Sequence, residues 1–147
     1  MSFLLPLALS LSVFLSPFSF QDRHLAWAIN QERSKSGLSI LRGSAELYRV
    51  ARIRSQDMCD RGYFAHFNPD GDRFLDLLDS RGYRYKRAGE IIGWTTVADA
   101  TPFIVRLFMN SPFHRQAILG SWNRIGAGAV KCGDKTIVTV LFSQQLP

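Results

Sequence analysis

The side chains of this chain best suited to chemistry are two histidines, one glutamate and one serine. His66 lies in an aromatic loop, Tyr63-Phe64-Ala65-His66-Phe67, between two helical stretches, and His114 stands three residues after Ser111. Glu90 sits in Ala88-Gly89-Glu90-Ile91-Ile92-Gly93, a small and apolar run whose nearest charge is Arg87. A carboxylate buried there needs a partner, and a salt bridge to one of the many arginines would meet that need without any functional role. Ser111 and His114 share a helix face at this spacing, as a nucleophile and its base would. Ser111 equally reads as a helix N-cap whose hydroxyl accepts from the N–H of N2 or N3, N3 being His114 itself. On that reading, which fits better, Ser111 fixes the backbone that presents His114, and Ser111→Ala costs about 1 kcal/mol. Each histidine taken alone also has an ordinary structural reading. The third, His24, falls at a helix start and reads as exposed.

The elements that must position these residues are legible as helices followed by a hairpin. Asp22 is a candidate cap for a helix carrying Leu25, Ala28, Ile29 and Glu32, stopped by Gly37. Ser44 caps a second helix, in which Leu47, Val50, Ala51 and Met58 recur at helical spacing, and Gly62 ends it. The stretch Asn68-Pro69-Asp70-Gly71 is a turn, and Asp72 then caps a short helix bearing Phe74, Leu75 and Leu78. Residues 83–94 are irregular or a short strand. Thr101-Pro102 marks a cap and first helical position, with Phe103, Leu107 and Phe108 as the core face, although a start one turn earlier is open. Ser111-Pro112 repeats the signal for a short helix through Leu119. Residues 125–132 and 136–142 are β-rich and joined by a turn at Gly133-Asp134. The pattern implies an α+β domain with helices packed on a small antiparallel sheet.

Hydrophobic residues make up 46% of the 147, enough for one well-buried core and too few for two. The net charge is +6, largely from arginine. It favours anionic partners such as lipid headgroups or polyanionic glycans, but a soluble basic surface with no specific partner fits it somewhat better. No Lys/Arg run or aromatic-and-basic strand gives a nucleic-acid signal. Residues 1–20 carry no charged side chain and read as a secretory signal or N-terminal apolar segment ahead of a domain over 21–147. They lack the usual basic residue near the start, and Pro6 and Pro17 interrupt a span of borderline length for a membrane anchor. Export places the domain outside the cell, in the periplasm or on the envelope. In such a chain two cysteines, Cys59 and Cys132, suggest a bridge; two buried thiols are the alternative.

A series of segments in fixed order resembles one family. They are Asn30-x-Glu32-Arg33, Asp57-Met58, Arg61-Gly62-Tyr63-Phe64-Ala65-His66, Pro69-Asp70-Gly71, Arg81-Gly82-Tyr83, Ala88-Gly89-Glu90, Asn110-Ser111-Pro112-x-His114-Arg115 and Ile125-Gly126-x-Gly128. Each is weak alone, and together, over residues 25–142, they resemble the bacterial branch of the CAP superfamily. The resemblance implies a three-layer α-β-α sandwich whose central cleft carries His66, Glu90 and His114. In several members the two histidines hold a divalent metal. It also implies pairing of Cys59 with Cys132. The chain departs from the family pattern where Ile91 replaces the Asn of Gly-Glu-Asn. It departs again at Phe108, which replaces a Trp, at Ser111, where eukaryotic members carry a second cleft glutamate, and at Ala117, which replaces an Asn. One carboxylate is left where two are usual.

If the cleft binds a metal, zinc is the expected ion, and two imidazoles alone make a weak, open site. Glu90 is then a third ligand, an orienter of an imidazole or of bound water, or the general base of a metal-assisted hydrolysis. Family roles are mostly binding ones. The expected function is therefore an exported binding module for lipid or sterol, an anionic envelope component or an extracellular protein. A metal-dependent hydrolase using Glu90 is the alternative.

Overall fold

A computed structural model describes residues 18–147. The element order is α1 (Phe20–Lys35), β1 (Arg42–Gly43), α2 (Ala45–Arg61), α3 (Phe74–Ser80), β2 (Tyr85–Thr95), α4 (Ala100–Asn110), α5 (Pro112–Ile118), β3 (Arg124–Cys132) and β4 (Lys135–Gln145). The four strands form one sheet in the order β1-β3-β4-β2. β4 pairs antiparallel with both β3 and β2, whereas the two-residue β1 runs parallel to β3, so the sheet is not wholly antiparallel.

Strand alternation distributes the core into three layers. On β4, Val138, Val140 and Phe142 face α1, α4 and α5, joining Leu25, Ile29, Ile104 and Phe108 in the larger cluster. Leu141 faces the other way, into a cluster with Leu47, Val50 and Ala51 of α2 and Phe74 and Leu78 of α3. The α-β-α sandwich thus follows from two-residue periodicity in the strands and apolar stripes on the helices. β3 turns Ile125, Ala127 and Ala129 to the α1 face. On its α2 face stand Gly126 and Gly128, where an added Cβ would come within 2.3 Å and 2.4 Å of the α2 backbone. The Gly-x-Gly spacing of Ile125-Gly126-x-Gly128 is what lets α2 lie against the sheet, and Ser55 of α2 donates to the Gly128 carbonyl at 2.9 Å.

Several helix starts differ from the sequence reading. α1 is capped by Ser19; Asp22 is the third helical residue and closes a capping box with it. The Asp22 side chain is fully buried, where it accepts from the Ala129 N–H at 2.9 Å and pairs with Arg52 at 2.8 Å. α3 begins at Phe74, with Arg73 at the cap position and Asp76 accepting the Arg73 N–H, so Asp72 lies outside the helix. α4 begins at Ala100, two residues before Pro102. Its core face is Ile104, Val105 and Phe108, whereas Phe103 is half-buried and Leu107 exposed. Residues 83–94 are mostly strand, since β2 runs for 11 residues. Ser44, Gly62 and Pro112 take the expected cap and turn positions.

Residues 1–17 of the N-terminal apolar segment lie outside the described residues. Its last three residues do not: Phe18 stacks on Tyr48 at 5.0 Å and Ser19 caps α1, so folded structure starts ahead of residue 21. Among the described residues no helix is long and apolar enough to cross a membrane. Cys59, in the last turn of α2, is disulfide-bonded to Cys132 at the end of β3, with a Cα–Cα distance of 5.6 Å. The bridge borders a small cluster of Met58, Ile92 and Ile137.

Candidate functional site

Glu90 projects from β2 toward α2, where an arginine waits for it. Arg54 lies on the apolar stripe of α2 and is 2% exposed, against 1% for the Glu90 side chain. Its Nε donates to Glu90 Oε2 at 2.9 Å and its Nη2 to Oε1 at 3.4 Å. The rest of the guanidinium is also satisfied: Nη1 donates to the Tyr63 hydroxyl at 3.0 Å and Nη2 to the Ala65 carbonyl at 2.8 Å. Burial works against the charge on Arg54, but the hydrogen bond and charge of Glu90 outweigh it and hold the group above its ordinary range. Tyr63 is pushed up to about 12 by burial and by donating to Asp57. Arg54 therefore fixes two things, the carboxylate of β2 and the loop that carries His66.

The second bond of Glu90 goes to His66. Nδ1 of the imidazole lies 2.8 Å from Glu90 Oε1, and the His66 side chain is 55% exposed. Facing a carboxylate already paired with a guanidinium, Nδ1 is the donor, so in the neutral imidazole the acceptor is Nε2. Glu90 thus makes the arginine salt bridge expected of a buried carboxylate and, in addition, bonds His66.

His114 is the third residue of α5. Its ring lies 5.0 Å from that of Phe108, and burial lowers its pKa, with the charge of His66 adding to the effect. Because the folded-state value lies below the unfolded one, the folded protein binds fewer protons and loses stability as pH falls through the unfolded histidine range near 6.5. Unfolding midpoints measured from pH 8 to 5 should therefore decline, and His114→Gln should flatten the decline. An equally steep fall in that variant would assign it to other groups.

Ser111 holds the N-cap position of α5, and its carbonyl accepts the Arg115 N–H at 2.8 Å, but its hydroxyl makes no capping bond. The proposed side-chain cap is absent, and with it the expected loss of about 1 kcal/mol. Ser111→Ala should change stability by less than about 0.5 kcal/mol, as read by chemical denaturation. Ser111 and His114 instead line a concavity of about 240 Å³, together with Phe64, Trp94, Leu107 and Phe108. Ile91, on the opposite face of β2 from Glu90, is 3% exposed in the main core cluster. An apolar residue suits that position. His24 stands apart from this group, stacked between Phe20 and Trp27 on α1 and half-buried.

Arg54 is the site residue that sequence reading passed over. It stands four residues after Val50, three after Ala51 and four before Met58, so the stripe that identified α2 already contained an arginine. A cation in the middle of an apolar face is the signal that a buried carboxylate must meet it.

Residues 27–144 match the family described as CAP, the cysteine-rich secretory protein family. The chain belongs to the CAP family. This CAP domain is 38% identical over 121 residues to the uncharacterized protein YkwD of Bacillus subtilis, a match covering 81% of the chain. It spans less than half, 46%, of that relative's length. Among solved structures it is similar to an outer surface protein of Borrelia burgdorferi, with TM-score 0.75, 21% identity and coverage of 84% of this chain and 92% of that one. It is also similar to an extracellular protein containing a SCP domain from Bacillus anthracis, with TM-score 0.76, 24% identity and coverage of 84% and 40%. At these identities the two structures speak to the fold alone. They bear out the bacterial CAP sandwich expected from the ordered motifs.

Proposed function

We propose that this CAP domain is an exported binding module whose cleft holds a divalent metal, zinc, between His66 and His114. The observation that carries the reading is the engagement of Glu90. Its oxygens accept from Arg54 and from His66 Nδ1, so the carboxylate fixes one imidazole through Nδ1 and leaves Nε2 for a ligand, the usual arrangement behind a metal-ligating histidine. The lowered pKa of His114 favours the neutral imidazole a metal requires. The donor set fits zinc as an open, two-histidine site. Among the described residues no group of three or more His, Cys, Asp or Glu side chains is placed to share an ion, so Glu90 serves as orienter and not as third ligand. A zinc ion held there would draw a ligand's oxygen by Lewis-acid polarisation.

Glu90 is poorly placed to act as general base, since both oxygens are already occupied by donors and the side chain is 1% exposed. For that reason a binding role is favoured over metal-dependent hydrolysis. The partners that suit an exported basic domain are lipids or sterols, anionic envelope components and extracellular proteins. The extracellular and outer-surface placement named for two structural neighbours supports export.

Zinc titrated into the purified protein by calorimetry should bind one ion per chain. His66→Ala and His114→Ala should each weaken binding more than about tenfold, as loss of one of two ligands requires. Equal binding by the double variant would end the metal reading. Zinc-dependent turnover of peptide or ester substrates that disappears in the double variant would replace the module with an enzyme.

A further inference from the structure

One long strand edge is left open beside this cleft. β2 pairs with β4 on one side, and the strand order puts its other side at the rim of the sheet. Among the described residues no backbone hydrogen bond reaches the main chain of residues 85–95 from that side. Exposure tells the same story. The Glu90 side chain is 1% exposed, yet the residue as a whole is only half-buried, so its accessible part is main chain. Gly89 and Gly93, which have no side chain, are half-buried too.

Such edges are usually blunted by charge, proline or a bulge. β2 has Lys86, Arg87 and a register irregularity at its first end. From Ala88 to Thr95 it has no bulge, no proline and no charge except the neutralised Glu90. This unprotected part carries Glu90, which holds His66, and ends beside His114. The concavity beside it draws Phe64 from the α2 side and Leu107 and His114 from the α4 and α5 side. It therefore opens across the rim of β2, with mainly apolar walls.

We propose that the open edge of β2 takes an extended polypeptide segment as an added strand along residues 88–95. One apolar side chain of that segment enters the concavity lined by Phe64, Trp94, Leu107 and Phe108. Main-chain bonds then supply affinity and the pocket supplies selectivity, as in other cases of strand addition. Charge selects among segments. Arg84, Lys86 and Arg87 stand at one end of β2, and Lys135 stands 4.5 Å over the Trp94 ring at the other. An apolar anchor with acidic flanking residues is the matching sequence. The inference deepens the reading of this cleft as a binding site by naming an extracellular polypeptide as its partner.

The test uses the full chain and an arrayed library of blocked peptides of about eight residues, one to two strand lengths, with Phe or Leu between acidic residues. Binding is read by fluorescence anisotropy with and without zinc. The best binder is then N-methylated at one position at a time. Strand addition predicts that methylation at every second residue weakens binding about tenfold, the effect of losing one good hydrogen bond. Methylation at the intervening residues should change it less than about twofold. Leu107→Asp, at an exposed position, should abolish selectivity for the apolar anchor. A library with no binder, or a binder indifferent to which residues are methylated, overturns the proposal, as does a chain dimer that peptides fail to dissociate. Zinc binding is scored separately on the same protein, so failure of the peptide leaves the metal reading standing, and failure of zinc leaves the strand test valid.

Discussion

Glu90→Gln should lower the free energy of unfolding by about 3 kcal/mol, at the lower end of what breaking a buried ion pair costs. The substitution keeps shape, removes the charge and turns one accepting oxygen into a donating amide nitrogen. Arg54, 2% exposed, would then sit buried without a counter-charge, and a guanidinium cannot relieve itself by losing a proton. The Tyr63 hydroxyl and Ala65 carbonyl would still accept from it, which keeps the loss from the top of the range. Denaturant unfolding should show a lower midpoint with an unchanged slope. The double variant Arg54→Met, Glu90→Leu should recover most of the loss, because replacing both partners by apolar groups of similar size is often neutral. If Glu90→Gln costs under about 1 kcal/mol, the pair is not the anchor described here. If the cleft holds zinc as proposed, the same variant should weaken that binding by about 10- to 100-fold through loss of orientation at His66. A cost in stability and a cost in metal affinity from one charge are what a carboxylate bonded to both Arg54 and His66 predicts.

How much of this was legible in the sequence depended on whether the signal was periodic or pairwise. The apolar stripe of α2 and the hairpin of β3 and β4 are periodic or local, and the α+β class follows from them, whereas the three-layer sandwich is implied by the ordered family motifs, the Gly-x-Gly of β3 among them. Helix starts were read less well, because several residues near each boundary are competent caps. Ser19 and Asp22 are both good candidates, and the choice is made by the Ala129 N–H, distant in sequence, that Asp22 must satisfy. The face of α4 was misread for a related reason. Phe103 and Leu107 are apolar, but packing against α1 and β2 buries Ile104, Val105 and Phe108 and leaves Leu107 for the concavity. The candidate site rests on ordered motifs, which name His66, Glu90 and His114 without saying what holds them. Pairing of Glu90 with Arg54 joins residues 36 apart, and no local pattern encodes it.

Loss of the Cys59–Cys132 bridge should cost about 4 kcal/mol, which the chain-entropy account gives for a loop closed by cysteines 73 residues apart. In that account the effect acts on the unfolded chain, so its signature differs from that of Glu90→Gln. Without the cross-link the unfolded ensemble expands and exposes more surface, so the denaturant slope should rise while the midpoint falls. Cys59→Ala with Cys132→Ala is the cleaner comparison, since it leaves no thiols to exchange. An unchanged midpoint would mean that the bridge contributes nothing to the folded state's margin. Combining the cysteine pair with Glu90→Gln separates two views of the site. If the bridge acts only on the unfolded chain, the two losses add within about 0.5 kcal/mol. The bridge also ties down the last turn of α2 four residues before Tyr63, in a cluster with Met58 and Ile92, so it borders the loop that brings His66 to Glu90. A coupling above about 1 kcal/mol would show that the disulfide and the ion pair hold that loop jointly, and zinc affinity should then fall in the bridge-less protein even where it remains fully folded.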